Sequence, residues 1–273
     1  MEALSFIFQR LYISFASGSI INFYIIYTFF VLEKDKLLPK CLVTLKSIGF
    51  SPSVYIWIFI FSALLIGIFV EGFSHGGVQL YKENIDKFIK KKKEKNDKEE
   101  NEFRNLNLKG KMVYLLFMKS TITETCIYYL KQQNKEEKDN IFKFLYDFNI
   151  DNPYYNRNEM FLGIQTIAFK VSNKLGNSDF YRFRDLSFMI QILRSSFILT
   201  SLFSFFITIY VVTINSIRND WNNEEKSFLF FPICIIISVL LIIVTTIIAG
   251  NFSKRYLREL GSCYNALNFQ KQS

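Results

Sequence analysis

The sequence predicts an all-α integral membrane protein with four transmembrane helices and a helical cytosolic insert between the second and third. Three observations predict this. Half of the 273 residues are apolar and 18% are aromatic, and they gather in four runs near the two ends rather than spreading through one soluble core. Between the inner runs, apolar residues recur at helical spacing among charged ones, as in an amphipathic soluble helix. Basic residues concentrate in that central stretch, the distribution of a cytoplasmic side.

Residues 1–77 read as an N-terminal membrane hairpin. Its first span covers about 13–32, and some twenty helical residues rise about 30 Å, the thickness of the hydrocarbon core. Ser14, Gly18 and Asn22 fall four apart on one face, a small-residue surface that lets a second helix approach and directs Asn22 toward protein. Met1 to Phe8 is too short an apolar stretch before Arg10 for a cleaved signal. Residues 33–53 hold Pro39, Gly49 and Pro52 and read as a loop with one short amphipathic helix near 40–48. The second span, about 54–71, carries Ala63, Gly67, Glu71 and His75 at intervals of four on a single face, its packing or pore-lining side.

Residues 78–105 read as a charged helix and linker. The Lys90–Glu100 tract alternates acids with lysines in its second half and interleaves no aromatics. It therefore reads as a solvated helix end rather than a nucleic-acid patch, with attraction to anionic headgroups the next reading. Residues 106–178 form the expected helical cytosolic domain, with helices over 112–131, 136–148 and 159–175, a turn at 152–156, and Gly176 as a C-cap.

Residues 179–250 read as a stem helix, N-capped by Asp179, that continues into a C-terminal membrane hairpin with spans at about 195–214 and 228–249. Thr200, Ser204 and Thr208 form a polar line at spacing four in the third span. Trp221 marks an interface in the short loop, and Pro232 lies near the start of the fourth span, where proline is tolerated. Residues 251–273 form a cytosolic C-terminal helix whose stripe of Tyr256, Leu257, Leu260, Tyr264 and Leu267 should dock on the stem or the small domain.

Orientation follows from the charges near the spans. Residues 74–193 hold 21 Lys plus Arg against 16 acids, a balance of +5 within a whole-chain net charge of +9, whereas the third loop offers Arg218 and Lys226. The four lysines of the first loop weaken this assignment without reversing it. The expected location is the cell membrane, multi-pass, with both termini cytoplasmic.

Cys41, Cys126, Cys234 and Cys263 lie far apart with no paired spacing, so neither a disulfide framework nor a zinc site is expected. The chain shows no serine-hydrolase elbow, phosphate loop or HExxH, and it has a single histidine. No enzyme, metal or cofactor is expected on that basis.

The candidate functional residues are a charged collar of Glu71, His75, Arg184, Asp185, Arg194, Arg255 and Arg258. Ionisable groups so close to hydrocarbon usually face the bundle and pair, here Glu71 with Arg194. The collar could instead be a set of interfacial anchors. It could transmit rearrangement of the cytosolic helices through a hinge at Gly72, Gly76 and Gly77, or Glu71 and His75 could form a proton or ion site. The helix-packing or pore line comprises Asn22, Ala63, Gly67, Thr200, Ser204 and Thr208.

The expected function is an oligomeric membrane protein, a channel or membrane-perturbing effector, controlled by its cytosolic domain. The alternative is a non-conducting anchor that presents cytosolic helices to a protein partner. The bilayer, further copies of the chain and a cytosolic protein are the expected partners, and nucleic acid is not.

Overall fold

The computed structural model describes residues 2–34, 51–93, 108–133, 157–176, 179–218 and 226–269. The expected elements at 40–48, 136–148 and 152–156, the tract beyond Lys93, and Trp221 lie outside the described residues. Those residues form seven α-helices: α1 Glu2–Lys34, α2 Pro52–Lys93, α3 Leu108–Val113, α4 Ile122–Gln133, α5 Arg157–Leu175, α6 Phe180–Arg218 and α7 Lys226–Phe269. A π-helical turn, Tyr114–Met118, follows α3. No strand occurs among the described residues.

Four helices are long and apolar enough to cross a membrane, over Leu11–Lys34, Ser53–Val78, Phe180–Ile217 and Leu229–Leu267. Three of them are much longer than a bilayer requires. At 42, 39 and 44 residues, α2, α6 and α7 rise roughly 60 Å each, about twice the hydrocarbon thickness. The cause is visible in their sequences, where each apolar run adjoins an amphipathic pattern with no proline between the two.

The chain divides into two compact units. The first combines Met1–His75 with Ile192–Thr245, and the second combines Gly76–Gln191 with Thr246–Ser273. All three passages between units fall inside helices, in α2, α6 and α7. The passage in α2 lies between His75 and Gly76, among the three glycines read as a hinge, and the helix is unbroken there.

In the first unit, large apolar side chains such as Phe30, Leu65, Ile68, Phe206 and Leu240 point outward, as expected where the surroundings are hydrocarbon. Toward the α1 C-terminus, Val31, Leu32, Val211 and Phe231 form a buried cluster joining α1, α6 and α7. The Tyr27 and Phe230 rings meet there with centroids 4.9 Å apart and planes tilted by 51°.

The second unit has its own core. Cys126 and Ile127 of α4, Met160, Ile164, Ala168 and Val171 of α5, and Phe180 of α6 close around Tyr256, Leu257 and Leu260 of α7. The C-terminal stripe thus packs on both the stem and the small helices. Gly176 ends α5 at φ +62°, donating its N–H to Ser172 O at 2.9 Å, an αL stop that favours glycine.

One predicted element differs. The expected helix over 112–131 is interrupted at residues 119–121. Lys119 N–H closes a π-type bond to Tyr114 O at 3.0 Å, and the chain restarts as α4 with Thr121 Oγ1 accepting the Glu124 N–H at 3.3 Å. Serine and threonine side chains compete for backbone groups in this way, and they favour a helix start over a helix interior.

Candidate functional site

In the first unit, α1 and α2 cross at their small residues. A Cβ placed on Gly18 would fall into the Ala63 carbonyl, and one placed on Gly67 would fall into the Ser14 carbonyl. Backbone therefore meets backbone, which only small residues permit. One turn further along α1, Asn22 Nδ2 donates to Ser62 Oγ at 2.7 Å and to Phe59 O at 3.2 Å. A buried amide without such acceptors would be strongly destabilising in hydrocarbon.

The polar line of α6 is satisfied within the chain. The hydroxyls of Thr200, Ser204 and Thr208 donate to the carbonyls of Ser196, Thr200 and Ser204 at 2.9, 2.8 and 2.7 Å. Ser204 Oγ also meets the Tyr24 hydroxyl at 2.6 Å. Because the Ser204 proton lies on Thr200 O, Tyr24 is the donor in that contact. Ser196 Oγ extends the seam by donating to Ser17 O at 3.2 Å. Thr200 and Ser204 are buried and Thr208 is half-buried.

Of the collar residues, Glu71, His75 and Arg194 belong to the first unit, and Arg184, Asp185, Arg255 and Arg258 to the second. Glu71 and His75 are one helical turn apart, with His75 Nε2 3.8 Å from Glu71 Oε1. His75 is the more exposed of the two, at 55% against 17% for Glu71. Arg194 is 1% exposed and is the largest fully buried side chain, a placement that is costly for a guanidinium unless its donors are met. Arg184 pairs with its neighbour Asp185 at 2.9 Å and lies 4.5 Å over the Tyr181 ring. Arg255 and Arg258 are exposed.

The three hinge glycines are not equivalent. Gly72 and Gly76 are exposed, and a Cβ on either would meet nothing within 4 Å. Gly77 is buried, and its Cβ would approach the Phe117 ring to 2.6 Å. The π-turn thus presses an aromatic ring onto the α2 backbone, and the glycine makes room for it.

A second polar cluster, unread in the sequence, lies near the same turn. Ser253 Oγ donates to Ser120 O at 2.9 Å and meets Ser187 Oγ at 2.8 Å. With the Ser253 proton on Ser120, the Ser187 proton is shared between Ser253 Oγ and Ala249 O, the latter at 3.1 Å. Gln191 Nε2 donates to Ser187 Oγ at 3.3 Å. Three buried serines thereby join α6, α7 and the turn before α4.

Among the described residues, no group of three or more His, Cys, Asp or Glu side chains is placed to hold a metal ion. Cys126 is buried, and burial pushes its thiol well above the ordinary range. Comparison with protein-family models, with curated proteins and with solved structures finds no match for this chain.

Proposed function

We propose that the chain is a non-conducting membrane anchor whose second unit lies on the cytoplasmic side and offers its helices to a protein partner. The observation that carries this reading is the polar seam of the first unit. Asn22 is met by Ser62, Ser204 by Tyr24, and Ser196 by Ser17. Of the α6 polar line, Ser204 is engaged by Tyr24 of α1, and the Thr200 and Thr208 hydroxyls are taken up by carbonyls of α6 itself, which supports a helix-joining seam over the lining of an aqueous path. The outward surfaces of the spans are dominated by Phe, Leu and Ile, which suits lipid rather than water.

The cytoplasmic placement is supported by the basic excess of residues 74–193 and by Lys254, Arg255 and Arg258 after the fourth span. What would be offered to a partner includes the outer face of α5. There Leu162, Thr166 and Phe169 stand exposed opposite the buried Met160, Ile164 and Ala168.

Ion leakage from liposomes reconstituted at rising protein-to-lipid ratios tests the reading. Tight liposomes with wild-type protein are expected, and tight liposomes again with Thr200, Ser204 and Thr208 all changed to leucine. Leakage that the leucine variant suppresses would instead support a channel.

A further inference from the structure

The segment leading into the π-turn has two unlike faces. Phe117 and Met118 are buried, with Phe117 seated on Gly77. Leu108, Met112 and Leu115 are 77%, 55% and 44% exposed; Leu108 and Met112 lie one turn apart on α3, and Leu115 follows in the π-turn. Three large apolar side chains in a row facing water would be unfavourable.

Two further observations indicate what covers them. Gly77 lies in the last turn of the apolar stretch Ser53–Val78 of α2, so the residue that receives Phe117 sits at the edge of a candidate span. The segment is also purely basic: residues 108–123 contain Lys109, Lys111 and Lys119 and no acid. An apolar stripe flanked by lysines beside a span fits the boundary between headgroups and acyl chains of an anionic leaflet.

We propose that residues 108–119 form a foot on the membrane surface. Leu108, Met112 and Leu115 dip into the headgroup–acyl boundary, Lys111 and Lys119 reach the lipid phosphates, and the opposite face grips α2 through Phe117. The occupant is the bilayer itself, so the inference rests on the membrane reading of the four long helices.

The test uses the full-length protein in liposomes of phosphatidylcholine and phosphatidylglycerol, with the native cysteines replaced. A nitroxide is attached at Met112→Cys or Leu115→Cys, with Leu65→Cys as the lipid-facing reference within the second span. Collision with dissolved oxygen reports hydrocarbon, and collision with a water-soluble nickel chelate reports water. Positions 112 and 115 should favour oxygen as position 65 does, and omitting phosphatidylglycerol should shift 112 and 115 toward nickel while leaving 65 unchanged. Nickel access at 112 and 115 with oxygen preference at 65 overturns the foot and leaves the membrane reading intact. Shielding of 112 and 115 from both reagents overturns it in favour of a protein cover. Oxygen preference that ignores phosphatidylglycerol overturns the role given to the lysines. Nickel access at position 65 removes the membrane reading and the foot with it.

Discussion

At the scale of single residues, the glycines give opposite predictions within two helices. Gly18 and Gly67 face backbone carbonyls, so Gly18→Ala or Gly67→Ala must push α1 and α2 apart and should cost about 1–3 kcal/mol. Gly72 and Gly76 face open space, so alanine there should be neutral or stabilise α2 by about 0.5–1 kcal/mol, because glycine is a poor helix former. Thermal unfolding of detergent-solubilised protein separates the two pairs. A hinge that functions by bending at Gly72 and Gly76 would instead show as altered behaviour of those alanine variants without loss of stability. Arg194 is buried, and a pair with Glu71 remains our proposal. It predicts that Glu71→Arg destabilises and that adding Arg194→Glu restores part of the loss, whereas additive damage would remove the pairing. The raised pKa of Cys126 disfavours its thiolate, so at mildly alkaline pH its alkylation should be far slower in folded than in unfolded protein.

At the scale of elements, the serine cluster and the Phe117 socket hold the second unit where α2, α6 and α7 enter it. Ser253→Ala removes the donor to the buried Ser120 carbonyl and one of the partners of Ser187, and should cost about 1 kcal/mol. Gly77→Ala should destabilise by forcing Phe117 aside, and Phe117→Leu should recover part of that loss, a compensation that only a direct contact produces. These elements were unevenly legible in the sequence. The four apolar helices and the amphipathic C-terminal stripe were readable because hydropathy and period are local properties. The break at 119–121 was not, since an apolar pattern continues across it and only the Ser120-Thr121 pair hints at a new start. The Ser187–Ser253–Ser120 cluster was illegible, because its members are 66 and 133 residues apart in the chain and no spacing rule connects them. The small residues of α1 and α2 lay between these cases. Their intervals of four announced a packing face, but not that Gly18 would meet Ala63 rather than another helix.

At the scale of the whole molecule, the organisation is two units strung on three helices that each belong to both. The proposed anchor would need no polar surface inside the membrane, and Asn22, Ser196 and Ser204 join helices in the first unit. Sequence alone left the α6 line open to either role, because Thr200, Ser204 and Thr208 at spacing four suit a pore and a seam equally. The bond of Ser204 to the Tyr24 hydroxyl is what favours the proposed seam, and it is a tertiary fact that no spacing rule reveals. The most direct measurement is thiol access along this line in liposomes. With native cysteines replaced, Ser204→Cys and Thr208→Cys should fail to react with a charged, water-soluble thiosulfonate that readily modifies a cysteine at exposed Arg258. Reaction at 204 or 208 at a rate comparable to that at 258 would mean water reaches the seam, and would contradict a sealed anchor.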